Sequence, residues 1–545
     1  MKRRIERVEI EMAEIEDIIE RAKTSPLTEE ECEKLRKGFE TLFYMTDLIG
    51  DRETTIAKLR KILFGASTEK TRNVVGEEKV KVVESEVPGE PAAGLPKEKA
   101  KGHGRNGAEA YTGARRVCVG HESLKPGQRC PKCGKGKIYR IKEPAVVVRL
   151  TGQAPLQATV YEMERFRCNL CGEVYTAEAP EEVGPGKWDE GARSMVGLLK
   201  YGTGMPFHRL ERLQKSLGIP LPASTQWQMV KEAAEELEPA WDELIRQAAQ
   251  GEVLHNDDTT AVILETIKER RRKQAETDGD DDFAQERTGT FTSGIVSIDQ
   301  ERKIALFFTG RQHAGENLRD VLLKRAEGLQ TPIQMCDGLS RNEPELPAEL
   351  EIILSNCNAH ARRQFVDVAS RFPEECRYVL EVFCNVYRND ALARQQGMTA
   401  EERLAFHQAE SGPSMEELHQ WMEKQFADKI VEPNSGLGKA ITYTMKRWDR
   451  LTRFLHLPNA PLDNNAVERI LKKAVLSRKN SYFYKTLKGA HVGDVFMSLI
   501  QTAELARVNP FDYLTELQKH AKEVLKNPAR WMPWNYRETI QTLSA

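Results

Sequence analysis

A series of short apolar segments between residues 251 and 342 constrains the fold of this chain more than any other feature. The segments "EVLHNDDTTAVIL", "RTGTFTSGIVSI" and "KIALFFTG" predict three strands of an antiparallel meander. "HAGENLRDVLLKRAEG" then predicts a helix, and "TPIQMCDGLSRN" predicts a fourth strand that ends at Asp337. The charged interlude after the first strand, "KERRRKQAETDGDDDFAQER", is typical of an exposed loop.

Three antiparallel strands, a helix and a parallel fourth strand form the opening of an RNase H-like fold. The first and fourth strands are neighbours in that topology, so Asp257 and Asp337 are expected to face each other. A buried pair of carboxylates repels itself and needs a cation, and its oxygen ligands suit Mg²⁺. Asp258 follows Asp257, but neighbouring strand residues point to opposite faces. Only one of the two aspartates therefore lines the site, and our choice is Asp257.

A third carboxylate comes from "LDNNAVERILKKAVLSRKNSYFY", where Glu468 precedes a strongly basic stretch. The segment predicts a helix with an apolar face, and Glu468 lies beside that face. Asp463 or Asn464 is predicted to cap the helix start. With three carboxylates, a two-ion site for Mg²⁺ or Mn²⁺, with the ions about 4 Å apart, can activate a water or a 3′-hydroxyl at a phosphodiester.

The basic stretch that follows Glu468 predicts contacts with DNA phosphates, which supply most sequence-independent affinity. Two interpretations of the interleaved aromatic residues 482–484 stay open: stacking on an unpaired base, or a hydrophobic strand that returns to the core. The candidate phosphate-binding residues of the helix are Lys472, Lys473, Arg478 and Lys479.

A cysteine module occupies residues 113–182. Two CxxC pairs, "CPKCGKGK" and "CNLCGEVY", are each followed by glycine and separated by predicted strands. Four thiolates at this spacing predict a zinc ribbon, and they leave no open position on the metal, so the Zn²⁺ is structural. The predicted ligands are Cys130, Cys133, Cys168 and Cys171.

The remaining segments complete a multidomain α+β organisation. Residues 1–70 predict a helical or coiled-coil region, with either a local hairpin or self-association as its role, and 71–112 predict a linker rich in Pro, Gly and charge. Residues 183–250 predict three helices with short connections, which suit either a helix-turn-helix DNA-binding domain or a plain bundle. The catalytic domain is predicted in two parts, 251–342 and 461–525, before a tail at 526–545.

The net charge and the distribution of apolar residues bear on the expected location of the protein. Net charge is −2, so the chain as a whole gives no hint of nucleic acid. The charged start and the lack of a long apolar run predict a cytoplasmic, nucleoid-associated protein without a membrane span.

The whole chain resembles transposases of the IS66 family, which are of the DDE type. "LHNDDTT" resembles the family's first-acid strand, "MCDGLSRN" the second, and "DNNAVERILKKAVLSRKNSYFY" the third-acid helix with its RKN signature. "CNAHARRQF" resembles the AHARR block of the family. Carried over by position, the acids are Asp257, Asp337 and Glu468. One departure concerns the first site, where the family usually has Asp-Glu-Thr and this chain has Asp-Asp-Thr.

The resemblance implies a mostly helical insertion at 343–460, and the sequence there predicts several helices. Arg362 and Arg363 of the AHARR block are DNA-binding candidates, because guanidinium forks match phosphate oxygens. The expected activity is DNA cleavage at transposon ends and strand transfer into target DNA, by a homo-oligomer that works with accessory transposition proteins. The alternatives are a structure-selective nuclease of the same fold and a DNA-binding regulator with an inactive site.

Overall fold

The structure, a computed structural model, describes residues 124–133, 135–139, 154–167, 174–180, 186–276 and 289–544, and the single positions 21, 28, 36, 109 and 118. The predicted region 1–70 and linker 71–112 lie outside the described residues, apart from those single positions. Within the described ranges, no helix is both long and apolar enough to cross a bilayer. Residues Ser355–Asp463 form one compact unit, and the described residues from 124 to Leu354 and from Asn464 onward belong to a second, larger unit.

Two sheets are present among the described residues. The strands are β1 (Arg165–Arg167), β2 (Val174–Thr176), β3 (Val253–Ala261), β4 (Thr290–Asp299), β5 (Arg302–Gly310), β6 (Ile333–Cys336) and β7 (Ile353–Asn356). β1 and β2 form an antiparallel pair, and the others form a mixed sheet in the order β5-β4-β3-β6-β7. β3 pairs antiparallel with β4 and β4 with β5, whereas β6 lies parallel to β3. The predicted meander and its parallel fourth strand are confirmed.

Helices make up most of the rest of the described chain. In chain order they are α1 (Glu190–Gly197), α2 (Phe207–Ser216), α3 (Ala223–Ala248), α4 (Leu264–Glu276), α5 (Ala314–Leu322), α6 (Asn358–Val368), α7 (Pro373–Gln395), α8 (Ala400–Glu410), α9 (Gly412–Ala427), α10 (Gly436–Met445), α11 (Trp448–Leu451), α12 (Asn465–Ser481), α13 (Leu487–Leu505), α14 (Pro510–Lys519), α15 (Ala521–Lys526) and α16 (Tyr536–Ser544). Such a mixture of a sheet and many helices agrees with the predicted α+β class.

The core of the larger unit lies between the sheet and helices α3 and α13. α13 is buried along almost its whole length, and most of its buried residues are apolar or glycine. It covers strand β5 at the sheet edge, where the Ser498 hydroxyl accepts a hydrogen bond from Phe307 N at 3.0 Å and Thr502 Oγ1 one from Ala305 N at 3.1 Å. An edge strand whose N–H groups have partners is protected from pairing with another chain.

Helices α1, α2 and α3 confirm the helical prediction for residues 183–250, and they pack in the same compact unit as the sheet. α3 is 26 residues long and buries one side from Met229 to Ala248. The C-terminal segment, predicted as a tail, contributes the buried side chains of Trp531, Met532 and Tyr536 to the same core.

The charged interlude after the first strand is a helix for much of its length, so the loop prediction is wrong there. α4 begins at Leu264 and extends to Glu276. Its first two backbone N–H groups donate to the carbonyls of Tyr484 and Lys485, at 2.9 and 3.1 Å. These tertiary partners satisfy groups that a helix start otherwise leaves to solvent. Residues 277–288, with the acidic run 278–282, lie outside the described residues.

The smaller unit contains helices α6 to α11 and a buried ionic cluster. Asp390 is 2% exposed and lies within 2.7 Å of Arg403 and 3.4 Å of His407, and it also pairs with Arg394. His407 in turn lies 3.0 Å from the Ser411 hydroxyl. Burial by itself would raise the pKa of Asp390, but the His407 hydrogen bond and the two arginines outweigh it and lower the pKa to about 2. The carboxylate is therefore held in its charged form.

Candidate active site

Strand register brings the first two predicted acids to the same level of the sheet. His255 of β3 is the Cα partner of Met335 of β6, and the two strands are parallel. Continued by two residues, this register sets Asp257 beside Asp337, which directly follows the end of β6. Neighbouring strands lie about 4.8 Å apart. The sequence prediction that these two aspartates are neighbours is therefore confirmed, although their chemical roles are a separate question.

Asn342 joins the two carboxylates. Its side-chain Nδ2 donates to Asp337 Oδ1 at 2.8 Å and lies 3.3 Å from Asp257 Oδ1. Burial, and next the negative charge of Asp337, raise the pKa of Asp257 to about 7. Two neighbouring carboxylates that share one amide donor form a site that suits a cation.

The position of Asn342 is fixed by two buried amides. Asn256 Nδ2 and Gln334 Nε2 each donate to the Asn342 carbonyl at 2.7 Å, and Gln334 Nε2 also donates to Asn256 Oδ1 at 2.7 Å. The network links β3, β6 and the 3₁₀ turn Ser340–Asn342. Sequence reasoning missed Asn342, although it ends the quoted "MCDGLSRN" segment and lies five positions after Asp337.

Helix α12, which carries Glu468, packs on the same face of the sheet as Asp257. Gly294 is the direct cross-strand partner of Asp257, so their faces coincide. A Cβ atom at Gly294 would lie 2.9 Å from Leu471 Cδ2 and 3.1 Å from Val467 Cγ2, which shows how closely α12 approaches. Glu468 follows Val467 in the first turn of this helix and is half-buried. Glycine at 294 permits this close approach between the helix that carries Glu468 and the strand that pairs with the Asp257 strand.

Asn464 positions the start of α12, but not as the predicted cap. The residue occupies the N-cap position and its side chain makes no capping hydrogen bond. Its Nδ2 donates instead to the Asn256 carbonyl at 3.0 Å, and its Oδ1 lies 3.1 Å from His255 Nδ1. The cap prediction for Asn464 is therefore wrong, because the buried carbonyl and imidazole of β3 need partners. The amide joins the third-acid helix to the first-acid strand.

Asp258 has different neighbours from Asp257. Its side chain is 2% exposed, with Oδ2 2.7 Å from His313 Nδ1 and Oδ1 3.2 Å from Arg341 Nη2. These contacts account for both carboxylate oxygens. The arrangement favours Asp257 over Asp258 as the residue that shares a site with Asp337.

The predicted DNA-binding residues on α12 fall into two groups. Lys472 and Lys479 are exposed, whereas Lys473 forms an ion pair with Glu504. Arg478 donates to Thr259 Oγ1 at 3.1 Å and to Thr260 Oγ1 at 2.6 Å, so it braces the end of β3. This contact gives Arg478 a structural partner that the sequence did not predict.

The aromatic residues after α12 divide between the two interpretations of the sequence. Tyr484 forms an isolated parallel bridge with Ile263, just after the end of β3, and packs against the core. Tyr482 and Phe483 are 73% and 43% exposed. The core interpretation therefore holds for Tyr484 alone.

Arg362 and Arg363 lie on α6 of the smaller unit, where both are half-buried. In the same unit, desolvation is the main cause that raises the pKa of half-buried Tyr387, and the positive charge of Arg362 opposes this rise. This environment differs from the open surface expected for arginines that only contact phosphates.

The first cysteine pair forms a tight knuckle. Cys130 N donates to the Gly136 carbonyl at 2.7 Å, and Arg129 bridges to Lys137. Backbone hydrogen bonds from Gly136 and Lys135 lower the pKa of the Cys133 thiol, which favours the thiolate, the form in which a cysteine can bind a metal ion. Cys168 and Cys171 lie outside the described residues, between the paired strands β1 and β2.

Comparison with known proteins places the chain in a family. Residues 186–492, which contain all three predicted acids, match the model of the transposase IS66 family. Two relatives from Sinorhizobium fredii (strain NBRC 101917 / NGR234), the uncharacterized proteins y4hP and y4jD, are each 26% identical over 431 residues, covering 76% of this chain and 74% and 79% of theirs. A third, y4qI from the same strain, is 24% identical over 63% of this chain and 61% of its own length. The family match covers more than half of the chain, which therefore belongs to the IS66 family of transposases.

Proposed function

We propose that the protein is a DDE transposase with an RNase H-like catalytic domain, in which Asp257, Asp337 and Glu468 hold the catalytic metal ions. The observation that carries this proposal is the pairing of Asp257 and Asp337 around Asn342. The packing of α12 on Gly294, the cross-strand partner of Asp257, adds further support. The sheet order, with three antiparallel strands and a parallel fourth beside the first, agrees with the expected fold.

The donor set fits Mg²⁺ or Mn²⁺ in a two-ion site, because all three proposed ligands are carboxylates. Such ions supply the charge that activates an attacking hydroxyl and stabilises a leaving oxygen. The protein itself holds the two strand carboxylates together through Asn342. It also fixes the third-acid helix through Asn464.

The proposed reaction has two phosphoryl-transfer steps. In the first, the oxygen of water bonds to phosphorus at the transposon end, and the 3′-oxygen of the element leaves as a hydroxyl. In the second, this 3′-hydroxyl bonds to a target phosphorus, the 3′-oxygen of the target strand leaves, and a new phosphodiester joins element to target. One bond forms and one breaks in each step, so no covalent link between protein and DNA is needed.

A strand-transfer assay tests the proposal against its rivals. The full chain, together with the accessory transposition proteins expected from the family resemblance, is incubated with Mg²⁺, a target plasmid and a labelled duplex that carries one of the inverted repeats flanking its reading frame. Label joined to the plasmid supports the transposase. Cleavage without joining supports the nuclease, and binding to the repeat without cleavage supports the regulator; either result contradicts the proposal.

Asn342→Ala is expected to lower the cleavage rate by about 10- to 100-fold, as is typical when a residue that orients metal ligands is removed. The substitution removes the amide donor that Asp257 and Asp337 share. The measurement is single-turnover cleavage as a function of Mg²⁺ concentration, with the half-saturating concentration expected to rise. Asn434→Ala, at an exposed position of the smaller unit, is the control. An unchanged Mg²⁺ dependence would exclude the positioning role.

We also propose that Cys130, Cys133, Cys168 and Cys171 hold a structural Zn²⁺, as the hydrogen-bonded knuckle around Cys133 supports. Elemental analysis of the purified wild type is expected to find about one zinc ion per chain. Cys133→Ser should lose this zinc, whereas Cys384→Ser, which replaces an exposed cysteine of the smaller unit, should keep it. Equal zinc content in both variants would contradict the assignment.

A further inference from the structure

Helix α4 presents a basic face to solvent directly after the strand that carries Asp257. Lys268, Arg270 and Arg271 are exposed along this 13-residue helix. Two acids of the helix are engaged elsewhere: Glu265 Oε2 accepts a hydrogen bond from Leu487 N at 2.7 Å, and Glu269 pairs with Arg311 at 2.8 Å. The three cations therefore form a surface of one sign, which we call the α4 face.

The α4 face is fixed relative to the catalytic strand and the third-acid helix. The N–H of Leu264 donates to the Tyr484 carbonyl at 2.9 Å, and Tyr484 N donates to the Val262 carbonyl at 2.8 Å. Tyr484 lies in the segment that joins α12 to α13. The start of α4 is thus bonded to the end of β3 and to the segment that follows Glu468, so its position depends on the same elements as the acids.

The distance from the acids can be estimated along β3. Ala261, at the end of the strand, lies four positions after Asp257, so the distance between them is about 13 Å at 3.3 Å per residue. One strand of B-form DNA advances about 3.4 Å per nucleotide. DNA that lies over the acids and follows β3 therefore reaches α4 about four nucleotides from the phosphodiester at the acids.

We infer that the α4 face binds the phosphate backbone of the substrate DNA at least about four nucleotides from the cleaved bond. This inference rests on the proposed function. A DNA backbone suits the surface by charge, because guanidinium groups pair with phosphate oxygens in two-pronged contacts. The exposed Tyr482 and Phe483, beside the Tyr484 anchor, extend the surface with groups on which bases stack.

The first test measures the salt dependence of DNA binding. The full chain with Lys268→Gln, Arg270→Gln and Arg271→Gln is compared with wild type on a labelled duplex of one inverted repeat with flanking DNA. EDTA is present so that no cleavage occurs. The slope of log affinity against log salt should become shallower by about 0.9 for each phosphate that the variant no longer neutralises, and affinity should fall about 10- to 100-fold. Thermal melting confirms that the variant is folded.

A matched variant removes three exposed lysines from α14 and α15: Lys519→Gln, Lys522→Gln and Lys526→Gln. Its salt slope is expected to equal that of the wild type. An equally shallow slope in both triple variants would mean that only overall charge matters, and this result would overturn the inference. A wild-type slope in the α4 variant would overturn it too.

A second test locates the contact. Two shortened duplexes are prepared. One keeps only three base pairs on one side of the cleavage site, and the other keeps only three base pairs on the opposite side. Wild type and the α4 variant should bind equally to one of these short duplexes, because that duplex ends before it reaches α4. A difference that persists on both would contradict the placement. Binding is measured without metal, so these results do not depend on whether the acids catalyse cleavage. The proposed binding by the α4 face and the proposed catalytic function can therefore be refuted independently.

Discussion

Asp337→Asn is expected to abolish strand cleavage in Mg²⁺ while leaving the fold and DNA binding in place. An amide cannot supply the second negative oxygen ligand that the proposed ions need, and a loss of several kcal/mol of transition-state stabilisation lowers the rate by at least about 1000-fold. The measurement is cleavage of a labelled repeat, with binding to the same duplex followed by anisotropy. Removing one charge also relieves its repulsion with Asp257, so the melting temperature should not fall.

Three further substitutions test whether the loss of cleavage is specific to Asp257 and Asp337. Asp257→Asn should give the same loss. Asp320→Asn, at an exposed carboxylate paired with Arg319, should leave the cleavage rate unchanged. Asp258→Asn breaks buried contacts with His313 and Arg341, so it should lower the free energy of unfolding by about 2 kcal/mol. Cleavage that survives in Asp337→Asn would refute the assignment of the second acid.

Asp390→Asn is expected to destabilise the smaller unit by about 3 kcal/mol or more, because it leaves two arginines beside a buried amide. The effect should depend on pH. The pKa of Asp390 is lowered to about 2 from an ordinary value of 3.8, so its charge stabilises the folded state fully above about pH 4. This contribution, about 2 kcal/mol, is lost as the pH falls towards 2.

Hydrogen exchange of the α7 and α8 amides, measured between pH 3 and 7, is suited to this test because it reports on the unit itself. The difference in hydrogen-exchange protection between wild type and Asp390→Asn should be largest at neutral pH and should decrease as the pH falls. Asp428→Asn, at an exposed position of the same unit, is the control. A gap of constant size across this range would exclude the proposed charge state of Asp390.

The sequence predicted the strands of the sheet because the apolar pattern of a strand is visible in its own residues. The meander, the fourth strand and the adjacency of Asp257 and Asp337 all follow from apolar segments and a topology with few alternatives. The α4 helix was not predicted, because its charges were interpreted as those of an exposed loop, although Lys, Arg, Glu and Gln are good helix formers. Its start also depends on carbonyls more than 200 residues away in the chain. Local charge patterns carry no information about such partners.

The same limit explains why the role of Asn464 was predicted wrongly and why Asn342 and Gln334 were missed. Asn464 stands where a cap is expected from the sequence, but its amide bonds to strand β3, 208 positions earlier. Asn342 and Gln334 are ordinary polar residues in the printed sequence, and only their burial shows that they must have partners. Buried amides are recognisable as parts of a site once the fold has brought their neighbours together.

The order of the acids along the chain has a consequence for synthesis. Asp257 and Asp337 leave the ribosome well before Glu468, because the segment Ser355–Asp463 lies between them and α12. At about 5 to 20 residues per second, translation from the second acid to the third takes roughly 7 to 26 s. A growing or truncated chain that stops before Asn464 lacks Glu468 and the helix that packs on Gly294. Under the proposed function, such a chain has only two of the three acids and is not expected to cleave DNA.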